Sequence, residues 1–214
     1  MTNRHLLLRL LVLGCLMTYL GFASAITNPS FESGNTTAVV SFNGLGYGGE
    51  SAATGWNIWN NTAGLTSTEL CTSATCPSGA SSVPAPVDGT YDIHITSNGS
   101  ANGIYQILPQ SYATTAGVYL NIVTGSVQVD AIGPDGFFSE TFTSSGLATL
   151  SFGSSRINEI VVYGLGNTVG ISDFYADATT LTLDSSAPEP TTLLLSLGGL
   201  LTVIGAARRR RSQS

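Results

Sequence analysis

The chain has 214 residues and a formal charge of −6, and only 9% of its residues are charged, against roughly 25% in an ordinary soluble domain. It contains no lysine, and Arg156 is the only arginine between 26 and 187, a stretch whose twelve acidic residues give it a formal charge of −11. Nucleic acid is therefore excluded as a partner, because phosphate binding needs clustered arginine or lysine.

Residues 1–25 have the pattern of a secretory signal peptide. A positively charged start is followed by a short apolar stretch over residues 10–20, and small residues stand at the third and first positions before a cut after Ala25. Two alternatives stay open at this end: an uncleaved membrane helix, and a lipoprotein site at Cys15. A signal peptide places the rest of the chain outside the cytoplasm.

Residues 26–186 are predicted to form one all-β domain, a single β-sandwich of jelly-roll type. Short β-rich runs alternate with clusters of Gly, Asn, Ser and Asp, and no stretch of the body has the apolar period of a helix. Residues 60–89 carry little pattern and are expected to be a long surface loop. The predicted strands are Val39 to Phe42, Tyr91 to Ile95, Ile104 to Leu108, Val118 to Val123, Val127 to Ile132, Phe137 to Phe142, Ala148 to Phe152, Ile160 to Leu165, and Val169 to Leu183 as one or two strands.

Cys71 and Cys76 are the only cysteines left after the signal peptide is removed. Outside the cytoplasm an even pair favours a disulfide, which here would close a small ring and pin a local loop. A metal site is the alternative, but no histidine or further cysteine is near them in the sequence.

Five short motifs of the body follow one another in an order found in a known fold family. They are similar to the galactose-binding-like jelly rolls common among carbohydrate-binding modules, and the series spans most of the body. The motifs are Asn28-Pro29-Ser30-Phe31-Glu32, Gly55-Trp56, Gly89-Thr90-Tyr91, Gly103 to Leu108 with Gln106 inside it, and Ile171-Ser172-Asp173-Phe174.

The resemblance implies a structural Ca²⁺ that joins the first strand to the last. The matching carboxylates here are Glu32 and Asp173, with backbone carbonyls completing the shell of hard oxygens that this ion requires. The alternative is that both are ordinary surface carboxylates. No other cofactor is expected.

Trp56 and Trp59 lie in one short segment together with several asparagines. Sugars stack on aromatic faces while neighbouring amides form hydrogen bonds with the sugar hydroxyls, so the segment is a candidate glycan contact. In a strand the two rings would point to opposite faces, which predicts that one is buried and the other more exposed. Core packing of both is the alternative.

Catalytic residues are predicted to be absent. His94 is the only histidine of the body and alternation places it on the same strand face as Asp92, but no Gly-x-Ser-x-Gly turn presents a nucleophile to it. We therefore expect His94 to be a histidine on the surface of a strand. A carboxylate pair for glycoside cleavage is the remaining hydrolase alternative, because such pairs form in space rather than in sequence.

The C-terminal segment, residues 187–212, has three parts in a fixed order. Pro188, Glu189 and Pro190 precede an uncharged run over 191–207, which at 1.5 Å per residue spans about 25 Å as a helix. Arg208, Arg209, Arg210 and Arg211 then stop translocation and keep this end cytoplasmic. A buried C-terminal helix is the alternative.

This arrangement resembles the PEP-CTERM sorting signal of Gram-negative bacteria. The resemblance implies a transient anchor in the inner membrane, processing near Pro188, Glu189 and Pro190 by an exosortase, and release to the cell surface or the extracellular polysaccharide matrix. The expected function is structural or adhesive in that layer. A carbohydrate-binding module with a defined glycan site is the second hypothesis, and a secreted hydrolase is the third.

Overall fold

The computed structural model describes residues 26–80, 83–167 and 170–184, and these residues form eight β-strands and no helix. The strands are β1 (Val40–Glu50), β2 (Asn57–Cys71), β3 (Asp92–Ser97), β4 (Asn102–Thr124), β5 (Val127–Gly133), β6 (Gly136–Phe142), β7 (Gly146–Gly164) and β8 (Ser172–Leu183). The predicted all-β class is confirmed. The predicted signal peptide and the C-terminal sorting segment lie outside the described residues. Within the described ranges, no helix is long and apolar enough to cross a membrane.

The strands form two antiparallel layers, which we call sheet I and sheet II. Sheet I contains β3 and β8 together with residues 40–44, 64–71, 113–124 and 146–151 of β1, β2, β4 and β7. Sheet II contains β5 and β6 together with residues 46–50, 57–60, 102–107 and 157–164 of the same four strands. Four strands therefore pass from one layer into the other, and the result is the predicted sandwich.

The crossing strands change layer where their pairing is irregular. The ladder of β1 shifts between Gly44 and Gly46, and that of β4 shifts between Ile107 and Ser111, a stretch that contains Pro109. Proline has no N–H for the ladder, and glycine at a positive φ, as at Gly46, tolerates a bend that other residues resist. Each of the long strands β4 and β7 therefore covers two of the strands predicted from the sequence.

One apolar core lies between the two layers. It joins Ile93, Ile95 and Phe174 of sheet I to Val129 and Val162 of sheet II, all buried. Alternate residues of each strand point into this core, as a half-buried strand requires. The intervening residues point away from it, so each sheet has an outer face on which functional groups can lie.

The expected surface loop over residues 60–89 is wrong for residues 60–71, which belong to β2. This strand has no apolar alternation because its inward positions include Asn60, Thr66 and Thr68, all buried. Their polar atoms are satisfied within the core: Thr66 donates to Asn60 Oδ1 at 2.6 Å, and Asn60 Nδ2 donates to the carbonyls of Gly44 and Gly64.

Candidate functional site

On the outer face of sheet II, aromatic and polar side chains from neighbouring strands are paired in a row that runs across the sheet. Tyr47 pairs with Trp59, Trp59 with Gly103, Gly103 with Tyr163, and Tyr163 with Gln128. Residues paired in this way stand side by side across a sheet and on the same face of it. The pairing therefore gathers side chains from β1, β2, β7 and β5, which are far apart in the chain, into one line.

Four aromatic residues on this surface, Tyr47, Trp59, Tyr105 and Tyr163, form what we call the aromatic face. The ring centroids of Tyr47 and Tyr105 are 4.9 Å apart, and those of Trp59 and Tyr163 are 5.2 Å apart, both in edge-to-face geometry. Tyr47 is 65% exposed, whereas Tyr105 and Tyr163 are buried at 7% and 6% and Trp59 is intermediate. The two buried rings thus hold the two more accessible rings in fixed positions.

Gly103 allows the second aromatic pair to form. It lies between Trp59 and Tyr163 in the register, and a Cβ built on it would lie 2.8 Å from the Cβ of Tyr163 and clash with the Val162 carbonyl. Any larger residue at this position would push β4 and β7 apart. The glycine of the Gly103-to-Leu108 motif is therefore explained by this close approach.

A network of polar side chains borders the aromatic face on β5 and β6. Gln128 Nε2 donates to Asp130 Oδ1 at 2.9 Å and also to Ser139 Oγ. Thr141 donates to Gln128 Oε1 at 3.3 Å. Burial raises the pKa of the Tyr163 phenol well above its usual range, and the charge of Asp130 adds to this effect. The Tyr163 phenol therefore stays protonated where the aromatic face meets the polar network.

The two tryptophans of the predicted glycan contact have different environments. Trp56 is 0% exposed, packs against Phe31 with ring centroids 5.3 Å apart, and donates its indole N–H to the Asn28 carbonyl. A ligand cannot reach this ring, so Trp56 is a core residue and the expectation of a contact there is corrected. Trp59 is partly exposed on the aromatic face, as expected for the second ring of the pair.

His94 lies on the outer face of sheet I but is only 7% exposed, so the expectation of a surface histidine is wrong. Its Nδ1 lies 2.7 Å from Glu69 Oε1 and its Nε2 lies 2.8 Å from Asp173 Oδ1. The Tyr175 ring stacks on the imidazole at a centroid distance of 4.3 Å. With a carboxylate on each nitrogen, His94 has no free nitrogen with which to activate a serine.

Electrostatics favour the charged forms of these groups. Burial alone would lower the pKa of His94, but the hydrogen bonds that its ring donates to Asp173 and Glu69 outweigh this effect and raise that pKa. Burial alone would raise the pKa of Glu69, but hydrogen bonds from Ser78 and His94 outweigh it and lower that pKa. An imidazolium thus sits between two carboxylates beneath the protein surface.

The loop after β2 buries this histidine. Cys71 and Cys76 form the predicted disulfide, and Ala80 and Val83 pack against it and against Tyr175. Ser78 donates its N–H and its hydroxyl to the two oxygens of Glu69, at 2.7 Å each. We call Glu69, Cys71, Cys76 and His94, which lie together under this loop, the covered cluster. Sequence reasoning missed it because its members come from β2, β3 and a loop.

A small cleft next to the covered cluster contains two buried carboxylates, Asp92 and Asp177. Asp177 accepts the N–H groups of Val87 and Asp88 at 2.6 and 2.8 Å, while Asp92 Oδ1 has no hydrogen-bond partner in the described part of the chain. Burial, together with the charge of the nearby Asp177, raises the pKa of Asp92 to about 7.

Glu32 and Asp173, the carboxylates matched to a calcium site, have different partners. Glu32 Oε1 accepts the N–H groups of Thr90 and Tyr91 at 2.7 and 2.8 Å. Asp173 Oδ1 is hydrogen-bonded to His94 Nε2. The two carboxylates thus belong to two different hydrogen-bond networks. Calcium binding by the protein stays a prediction.

Comparison with known proteins gives a distant likeness of fold. No protein-family model matches the chain, and neither does any curated protein. A family 61 carbohydrate-binding module, solved in complex with β-1,4-galactotriose, is 12% identical with a TM-score of 0.40, covering 76% of this chain and 99% of that one. A xylan-binding domain, CBM22-1 from Paenibacillus barcinonensis, is 14% identical with a TM-score of 0.40, covering 74% and 93%. A family 29 carbohydrate-binding module is 10% identical with a TM-score of 0.37, covering 71% and 99%.

Proposed function

We propose that this protein is a non-catalytic carbohydrate-binding module whose ligand lies on the aromatic face of sheet II. The observation that carries the proposal is the register row in which Tyr47, Trp59, Tyr163 and Gln128 stand side by side. Sugar rings have apolar faces that stack on aromatic side chains and hydroxyl edges that need hydrogen-bonding partners. The row offers both kinds of group on one surface.

The aromatic face is held in place before any ligand arrives. Tyr105 and Tyr163 are buried, and Asp130 and Gln128 are already fixed by hydrogen bonds to each other and to neighbouring side chains. Groups that are ordered in the free protein lose little entropy on binding, which favours affinity. The exposed surface of Tyr47 and Trp59 is available for stacking.

The surface fits a neutral polysaccharide chain. Neighbouring strands are about 4.8 Å apart, so the five spacings from β1 to β6 extend over roughly 24 Å, long enough for several sugar units. Asp130 and Glu159 lie on this face, and in the described part of the chain the only arginine, Arg156, is paired with Asp135. A polyanion such as a polyuronate would meet uncompensated negative charge there.

The test is binding of Trp59→Ala to a panel of neutral and acidic polysaccharides. We expect the parent protein to be retained by at least one neutral polymer and Trp59→Ala to lose about tenfold or more in affinity, the loss typical of a buried aromatic contact. Tyr112→Ala is the matched control, because Tyr112 is an exposed aromatic residue outside the aromatic face. Equal binding by Trp59→Ala and Tyr112→Ala, with unchanged melting temperatures, would overturn the proposal.

Export and sorting to the extracellular polysaccharide layer form a second part of the proposal. The support is the sequence itself: residues 1–25 have the pattern of a signal peptide, and Pro188, Glu189 and Pro190 are followed by an uncharged run and four arginines. A glycan-binding body held in such a layer would act as an adhesive component of it. Intact mass of the protein recovered from the medium should lack both terminal segments, whereas a full-length cytosolic protein would refute export.

A further inference from the structure

The covered cluster brings together four metal-ligating side chains of three types. One ligand atom from each of Glu69, Cys71, Cys76 and His94 lies within 4.8 Å of the other three, and all four residues are buried. In a tetrahedral zinc site, where metal–ligand bonds are about 2.0 to 2.3 Å, the ligand atoms are roughly 3.3 to 3.8 Å from one another. Movements of about 1 Å would therefore bring these atoms to the vertices of such a tetrahedron.

The groups that orient metal ligands in known sites are also present. Histidine ligands are usually held by a carboxylate on the ring nitrogen that does not bind the metal. Here His94 directs Nδ1 toward the cluster while Asp173 holds Nε2 at 2.8 Å, and Tyr175 stacks on the ring. Ser78 fixes the Glu69 carboxylate with two hydrogen bonds. The cluster thus has a full set of ligands and the contacts that position them.

We propose that reduction of the Cys71–Cys76 disulfide turns the covered cluster into a tetrahedral site for one divalent zinc ion. The ligands are the two cysteine sulfurs, His94 Nδ1 and one oxygen of Glu69. The disulfide and the metal exclude each other, because a sulfur bonded to sulfur is not a thiolate ligand. Thiolate together with imidazole selects zinc over calcium or magnesium. This inference does not depend on glycan binding.

The chemistry balances as follows. A phosphine reductant donates two electrons to the S–S bond and takes oxygen from water, giving two thiols and one phosphine oxide. Zinc then binds as the two thiol protons and the Nδ1 proton of His94 leave for solvent, so metal uptake releases protons. Reduction also frees the short loop between the cysteines, which gives the ion a path to buried ligands.

The test titrates Co²⁺, and then Zn²⁺, into the full chain before and after reduction with a phosphine, which competes weakly for the metal. The reduced protein should bind one Co²⁺ with the intense visible bands of tetrahedral geometry and a thiolate-to-metal charge-transfer band. Zn²⁺ should remove both signals. The oxidised protein should show neither, and Cys71→Ser/Cys76→Ser should show neither under reduction.

Two single variants separate this site from loose binding to free thiols. His94→Gln should shift the cobalt spectrum and weaken binding, and Asp173→Asn, which removes only the positioning carboxylate, should weaken it by about 10–100-fold. The inference is overturned if reduced parent protein binds no stoichiometric metal, if His94→Gln binds as the parent does, or if reduction abolishes the β-sheet circular dichroism signal.

Discussion

At the scale of single residues, Asp92 is the group whose charge opposes folding most clearly. It is 3% exposed, its Oδ1 lacks a partner in the described ranges, and burial together with Asp177 raises its pKa to about 7. Between pH 4 and pH 7 the folded state therefore holds a proton that the unfolded state has released. The free energy of unfolding falls as the pH rises through this range, and the loss is complete above pH 7.

Asp92→Asn should remove much of this pH dependence. At pH 8 we expect the variant to be more stable than the parent by on the order of 2 kcal/mol, because the amide cannot ionise. At pH 4, where both side chains are neutral, the two proteins should have similar stability. Urea unfolding at the two pH values measures the difference. A variant less stable than the parent at pH 8 would contradict the argument.

His94 shows where residue-level sequence reasoning ends. Alternation correctly places His94 on the outer face of its strand, together with Asp92. Nothing in the local pattern indicates that a disulfide-closed loop covers that face or that Glu69 and Asp173 flank the ring. The disulfide could be predicted from composition and context, whereas the ligands around it depend on strand pairing.

At the scale of elements, β2 could not be predicted from hydrophobic alternation, because the buried face of this strand is polar. Asn60 is 0% exposed and makes three hydrogen bonds, which join β1 and β2 near the point where both strands change layer. Hydrophobic alternation predicts strands that bury apolar groups, as in β5, and it fails where amides and hydroxyls satisfy one another inside the core.

Asn60→Ala should therefore be costly. The change leaves the Gly44 and Gly64 carbonyls and the Thr66 hydroxyl without their partner in a buried site, and we expect a loss of about 2–4 kcal/mol in the free energy of unfolding. Asn61→Ala, the exposed neighbour on the same strand, should change it by less than about 0.5 kcal/mol. Similar losses for both variants would show that the network does not stabilise β2.

At the scale of the whole molecule, the sequence is sufficient for the fold class but not for the path of the chain. Gly-rich punctuation and β-rich runs predict a sandwich, and the described residues form one. Within β4 and β7, however, the turn-like residues between two β-rich runs lie where one strand bends into the second layer, and the strand does not end there. The aromatic face depends on that bend, because its members meet only through the register of sheet II.

Charge is the other property of the whole molecule. With twelve acidic residues against Arg156 alone, the body repels itself, and salt should weaken that repulsion. Raising NaCl from 0.01 to 0.3 M shortens the screening length several-fold, so we expect the melting temperature of the body to rise by a few degrees.

Glu140→Gln, which removes one exposed charge, should raise the melting temperature at 0.01 M NaCl and have little effect at 0.3 M.

Comparing the melting temperature in calcium and in sodium chloride at the same ionic strength separates charge screening from the binding of a specific ion. A shift specific to calcium and reversed by a chelator would reveal a structural site, since diffuse screening depends on ionic strength and not on the identity of a ligand. A melting temperature that falls as NaCl is added would contradict the role assigned to self-repulsion, because screening can only relieve the mutual repulsion of like charges.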